Sequence, residues 1–320
     1  MCRRRTSATS CARSAAPLFL NPATALSRAA LTPRKAVISI GTNSTRALVV
    51  ELDPALKVLL HRSTGTRIGE GLRQSGRLRE EAMRRTLHAI EEHVAAIRQF
   101  QPDLSAIATS ALRRADNADE FAESVRAVTG LPLEIISGEE EARCSYEGAI
   151  SGLRAEQSYG VLDVGGGSSE FATRNAHVSL EIGAVRLTEM FPALRQAAGA
   201  GETELARDAA RTALAPLRDF ETVDRLVMVG GSATTSRAVI SGHPIVGPYD
   251  ALTQAALSKL IELLASLPLE KRKELPGMVA KRADILLAGA IIVDEACRLS
   301  GHAGALVSTN DLLLGYLLRH

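Results

Sequence analysis

The sequence predicts an α/β protein built as two domains that face each other across a cleft, and three observations carry that prediction. Short apolar runs suited to buried strands alternate with stretches of helical periodicity, the pattern of sheets covered by helices and, for most of their strands, parallel. One strand–turn–strand unit occurs twice: residues 37–46 (VISIGTNSTR) and 161–170 (VLDVGGGSSE) superimpose without a gap at an offset of 124 residues. The chain has 320 residues, 46% hydrophobic and 23% charged, enough for two packed domains of ordinary composition.

From Lys35 the chain reads as strand, hairpin, strand, then a loop from Thr64 to Gly76. Met83, Leu87, Ile90, Val94 and Ile97 recur at steps of four and three, which gives the next helix one buried stripe. Residues 106–108 are a short strand ending in the polar turn Thr109-Ser110. A second helix from Asp119 to Val128 is closed by Gly130 and followed by a strand from Leu133 to Ile136. Gly138 to Glu141 opens a third helix that runs to Ile150, with acids in its first turn where they complement the helix dipole. The chain crosses over near Ser151–Ser158, and the duplicated hairpin follows. A third run, residues 226–235 (LVMVGGSATT), again leads a strand into a Gly-Gly-Ser turn, this time ahead of a helix. Helices are expected at 202–222, 251–266, 278–299 and 311–318, the last free to pack back on the first domain. The domains are therefore placed at 35–152 and 153–320, after a leader of residues 1–34.

The totals exclude several classes. No apolar run approaches the 18 or so residues needed to cross a bilayer, so no membrane role is expected. Cys2, Cys11, Cys144 and Cys297 show neither CxxC spacing nor a histidine cluster, and read as reduced thiols. Residues 1–35 hold seven of the 38 Lys and Arg and none of the 36 acids, so the rest carries 31 basic against 36 acidic residues. That mildly acidic body argues against general nucleic-acid binding. The Arg-, Ser- and Ala-rich leader reads as a transit peptide, a disordered leader or the product of a start codon placed upstream; a cytoplasmic protein is expected, with organellar import through residues 1–34 left open.

The glycine turns carry the chemistry. Each exposes backbone N–H groups and small hydroxyls with no bulky side chain in the way, a geometry suited to wrapping phosphate oxygens. Two facing copies would clamp one phosphoryl group between the domains.

The chain resembles the exopolyphosphatase and guanosine pentaphosphate phosphatase family (Ppx/GppA), in its short two-domain form. The resemblance rests on IGTNSTR (40–46), TSALRRADN (109–117), EIISGEEEAR (134–143), LDVGGGSSE (162–170), LEIGAVRLTE (180–189), VGGSATT (229–235) and RADILLAGA (282–290). It covers residues 36–300 and continues more weakly to the end. It implies the actin/sugar kinase/Hsp70-like (ribonuclease H-like) fold with the active site in the interdomain cleft. It also implies a hydrolase that releases terminal phosphate from inorganic polyphosphate or guanosine pentaphosphate, acting as a homodimer. In the family's ISG-x-E-E-A-R motif the second Glu is the proposed base, which falls on Glu141, with Glu140 as the fallback. Asp163 and Glu170 flank the second loop and suit Mg²⁺, which takes one or two carboxylates together with substrate oxygens and waters. Gly41, Thr42, Asn43 and Ser44 of the first loop, with Gly165, Gly166, Gly167 and Ser168 of the second, are expected to cradle the scissile phosphate. Arg113 follows as a phosphate ligand because guanidinium pairs two oxygens at once; Arg46 and Arg186 are weaker candidates.

One departure matters: the family pattern carries Asp before the first loop, and this chain has Ser39. Two readings follow. One is a metal-dependent phosphohydrolase in which Asp163 and Glu170 hold the metal alone. The other is a polyphosphate- or alarmone-binding sensor of weak turnover. A sugar kinase of the same superfamily stands third, since no sugar-binding signature accompanies VGGSATT.

Overall fold

Eleven strands among residues 33–320, the part of the chain that this computed structural model describes, form two sheets. The expectations for the leader fall on residues outside that range, except that Arg34 already opens the first strand. In chain order the strands are β1 (Arg34–Ile40), β2 (Ser44–Glu51), β3 (Lys57–Gly65), β4 (Asp103–Ala108), β5 (Leu133–Ile135), β6 (Tyr159–Val164), β7 (Ser169–Ala172), β8 (His177–Leu180), β9 (Arg225–Val229), β10 (Tyr249–Thr253) and β11 (Gly304–Ser308).

The first sheet has the order β3-β2-β1-β4-β5 and the second β8-β7-β6-β9-β11-β10. Setting aside the edge strand β10, the two share one topology. A meander of three antiparallel strands is followed by two strands parallel to the first. The repeat seen in the sequence is therefore a repeat of the whole sheet, and the duplicated strand–turn–strand is its opening hairpin. The sheets are mixed instead of largely parallel, because a tight hairpin can join only antiparallel neighbours.

Four strands lie outside the expectations, β3, β8, β10 and β11, of which β8 is a four-residue edge strand. β3 is an edge strand with charged, largely exposed side chains and no clean alternation. Residues 251–253 belong to β10, and only from Gln254 does the expected helix begin, capped by Thr253 Oγ1, which accepts from the Ala256 N–H at 3.3 Å. β11 occupies the stretch between the Gly301 turn and the final helix. The 202–222 helix ends at Ala213, where Pro216 follows within three residues. The helix expected from 278 starts at Leu286, after a single tight turn at Ala280–Arg282.

The central strands β1 and β6 are buried on both faces. Consecutive residues Val37 and Ile38, with Ile40, in β1, and Leu162 in β6, are completely enclosed. The helix Leu286–Leu299 runs through the core of the second lobe, with Leu287, Ala288, Ile291, Ile292 and Val293 fully buried and its buried Asp294 and Glu295 paired with Arg207.

Two helices tie the lobes together. The helix Gly138–Ile150 lies against β6, β7 and β8 of the second sheet, and the C-terminal helix Leu312–Arg319 packs on that helix and on β1 and β2 of the first. The two helices approach so closely that a Cβ at Gly315 would stand 1.7 Å from the Cys144 carbonyl oxygen, and one at Gly148 2.0 Å from the Asp311 carbonyl oxygen. Only glycine permits this contact. It seats the start of the C-terminal helix beside the first glycine loop.

Candidate active site

The two loops close the same way. Gly41 N–H donates to the Ser44 carbonyl at 3.0 Å and Gly165 N–H to the Ser168 carbonyl at 3.1 Å, so each hairpin uses its first glycine to lock itself. Gly41 and Gly165 line the cavity, but contrary to expectation their N–H groups are not available to a phosphate. Among the described residues, the N–H groups of Thr42, Asn43, Gly166 and Gly167 donate to no protein acceptor. The loops touch: a Cβ at Gly166 would stand 3.1 Å from Thr42 Cβ and 3.3 Å from Asn43 N. Around them is a cavity of about 70 Å³, room for several water-sized groups, lined also by Ser39, Ser44, Ser168 and the side chains described next.

Register places the charged groups. Asp163 stands directly across from Glu170 in the β6–β7 pair, and at the equivalent step of β1–β2 Ser39 stands across from Arg46. Directly paired residues project from one face of a sheet. The second lobe thus offers two acids where the first offers a neutral hydroxyl and a cation. Asp163 Oδ2 accepts from Ser145 Oγ at 2.8 Å, and Glu170 Oε1 from Ser179 Oγ at 2.8 Å. Burial raises the pKa of Asp163 despite the nearby Arg46 charge, and raises that of Glu170 well above the usual range, with Glu141 and Asp163 adding to the effect.

Glu141 comes from the first turn of the helix Gly138–Ile150, whose N-cap Ser137 accepts from the Glu140 N–H at 3.1 Å. That turn points Glu141 into the cavity, where Oε2 accepts from Arg113 Nη1 at 2.7 Å. Burial pushes its pKa up to about 7, against the pull of the Arg113 guanidinium. A carboxylate so poised exchanges a proton near neutral pH.

Glu140 and Arg113 do not line the cavity. Glu140 is adjacent in sequence but 100° round the helix from Glu141; it accepts from Arg319 Nε at 3.0 Å and does not line the cavity. Arg113 is engaged by protein groups: besides Glu141 it donates to the Ile136 carbonyl at 3.0 Å, and its Nη2 lies 3.8 Å from Glu170. Its position at the end of the short helix Ser110–Arg113 turns it toward two carboxylates, Glu141, which lines the cavity, and Glu170, which does not and is almost fully buried.

The structure adds Arg282, whose Nη2 donates to Ser44 Oγ at 3.2 Å and whose pKa burial lowers to about 10, leaving it charged at neutral pH. It lies in RADILLAGA, but nothing in that run distinguishes a cleft arginine from a surface one. Arg46 faces the cavity and pairs with Asp311 at the start of the C-terminal helix, while Asp311 Oδ1 caps that helix by accepting from the Leu313 N–H at 3.0 Å.

Residues 48–300 match the Ppx/GppA phosphatase family. The chain is 32% identical to exopolyphosphatase 2 of Mycobacterium tuberculosis over 317 residues, covering 89% of this chain and 98% of that protein. It is 30% identical over 305 residues to a bifunctional 3-dehydroquinate synthase/phosphatase of Fusobacterium nucleatum, covering 89% of this chain and 46% of that protein. Among solved structures, an Aquifex aeolicus Ppx/GppA enzyme aligns with TM-score 0.75 at 30% identity, covering 90% of this chain and 99% of that one. An exopolyphosphatase from Cytophaga hutchinsonii shares the fold, with TM-score 0.82 at 23% identity over 89% of this chain and 96% of that one.

Proposed function

The chain belongs to the Ppx/GppA phosphatase family, and from that premise we propose that it hydrolyses phosphoanhydrides, releasing terminal phosphate from inorganic polyphosphate or guanosine pentaphosphate in the cleft between its two sheets. The observation that carries this reading is Glu141: a buried carboxylate with a pKa near neutrality, aimed into a cavity walled by backbone N–H groups with no protein acceptor.

Phosphoryl transfer asks little covalent chemistry of a protein; it needs positioning and charge neutralisation. The N–H groups of Thr42, Asn43, Gly166 and Gly167 bind the oxygens of the terminal phosphate, with the Ser44 and Ser168 hydroxyls beside them. Arg282 and Arg46 supply positive charge at the same cavity. Glu141 takes a proton from the water that attacks phosphorus, and Arg113 holds the carboxylate in place while favouring its ionised form. The contact between the loops limits the space in which other water can compete.

A divalent cation fits this donor set. Asp163 lines the cavity, and the buried Glu170 Oε2 has no hydrogen-bond partner, an acceptor that a hard cation would satisfy. Among the described residues no three His, Cys, Asp or Glu side chains form a complete cage. Mg²⁺ takes one or two carboxylates and completes its shell with waters and substrate oxygens. Asp163 and Glu170 would hold the ion, and when bound it would neutralise phosphate oxygens.

The sensor reading draws on Ser39, which lines the cavity where the second lobe has Asp163. Glu141, Asp163 and Glu170 together favour turnover. The deciding experiment measures phosphate release from polyphosphates of graded length and from guanosine pentaphosphate, with Mg²⁺ titrated, for wild type and Glu141→Gln. The amide keeps the shape and loses the basicity, so kcat falls about 10²-fold or more while substrate still binds. A folded Glu141→Gln variant with unchanged kcat removes the proposed base.

A further inference from the structure

A second recess of about 270 Å³ adjoins the cavity where Thr42 meets Gly167, and its walls carry Arg73, Arg114 and Arg186. Arg114, on the first lobe, reaches over the second glycine loop: its Nη2 lies 2.5 Å from the place a Gly167 Cβ would occupy. Its Nη1 donates to Glu181 Oε2 at 2.9 Å. Arg186, on the helix Ala184–Met190 of the second lobe, donates to the Glu181 carbonyl at 2.9 Å and places its Nη2 on that same Oε2. One carboxylate oxygen thus takes guanidinium donors from both lobes at the edge of an anion cavity.

Glu181 is ill suited to a purely structural role. Its side chain is 65% exposed, and surface pairs of this kind contribute little to stability. The acid that lines the recess, Glu189, is engaged elsewhere, accepting from the Gly71 N–H at 3.2 Å. Two guanidinia converging on one anionic oxygen is also how a phosphoryl oxygen is held. The recess shares Thr42 and Gly167 with the cavity proposed for the terminal phosphate, so a chain of further phosphates has room beside it.

We propose that Arg114 and Arg186 hold the phosphoryl group next to the one removed, and that Glu181 is a built-in competitor which occupies both arginines until the substrate displaces it. This rests on the phosphohydrolase reading above. The carboxylate stands in for the substrate's oxygen, so KM is higher than the two arginines alone would set, and substrates with no second phosphoryl group leave Glu181 in place.

The test is Glu181→Gln, with Glu189→Gln as a control that removes equal charge from the wall of the recess beside it. KM for polyphosphate is expected to fall about twofold to fivefold in Glu181→Gln, the range of an exposed ion pair, with no rise in kcat. The gain is expected to vanish in Glu181→Gln/Arg186→Gln and to be smaller in Glu189→Gln. An unchanged KM in Glu181→Gln, or an equal fall in Glu189→Gln, overturns the proposal. Wild type that releases no phosphate from either substrate with Mg²⁺ present refutes the phosphohydrolase reading instead. The competitor is then tested by calorimetric titration with polyphosphate, where equal affinities of wild type and Glu181→Gln overturn it.

Discussion

Replacing Arg113 by methionine separates the role the structure assigns this residue from the one its sequence context suggests. The side chain keeps its bulk and loses the guanidinium, whose Nη1 lies 2.7 Å from Glu141 Oε2. A hydrogen bond to a charged group contributes about 1.5–3 kcal/mol, and each pKa unit corresponds to about 1.4 kcal/mol. Glu141, at about 7 with Arg113 present, therefore rises by roughly one to two pH units. Because Glu141 works as a base it must be ionised, so activity rises with pH through its pKa. At pH 7 the ionised share falls from about a half to between about a tenth and a hundredth, and kcat drops about fivefold to fiftyfold. The assay is kcat for phosphate release from roughly pH 6 to 10, with Mg²⁺ saturating. The acid limb of Arg113→Met is expected to move to higher pH and most of the loss to be recovered near pH 9. A limb that stays in place, or a loss that is uniform with pH and accompanied by a raised KM, refutes the argument and returns Arg113 to the role of phosphate ligand.

Two further outcomes follow from the packing. Ser39→Asp places a carboxylate opposite Arg46 and in the cavity with Asp163; it is expected to lower the Mg²⁺ concentration for half-maximal phosphate release, and an equal or higher requirement shows that this position serves Arg46 instead of the metal. Gly315→Ala drives a methyl group into the Cys144 carbonyl, at 1.7 Å before relaxation, and overpacking of this kind costs about 1–3 kcal/mol. Its melting temperature is expected to fall by several degrees, with kcat/KM reduced because Asp311 shifts from Arg46; a melting curve that overlays wild type rules out the tight helix contact.

The sequence alone determined what depends on local chemistry. Strand–turn–strand units with glycine and small hydroxyl residues at the turn form hairpins wherever they occur, so the duplicated loops were legible before any coordinates. Glu141 was legible through a motif whose capped helix start fixes the side chain's direction within one turn. Glu140 shows the limit of that reading, because adjacency along the chain says nothing of the 100° that separates neighbours around a helix. Strands without a clean buried pattern of their own were lost: β3, β8 and β10 are edge strands, and β11 is paired on both sides by strands far away in sequence. Tertiary structure decided which charges meet. Arg113 turned from phosphate to carboxylate because a helix beginning 25 residues later brings Glu141 to it, and Arg282 reached the first loop from 238 residues away. A sequence states which groups are charged; whether a guanidinium meets a substrate, a base or another protein carboxylate is set by the packing of elements that are remote along the chain, and by the low-dielectric surroundings that this packing creates.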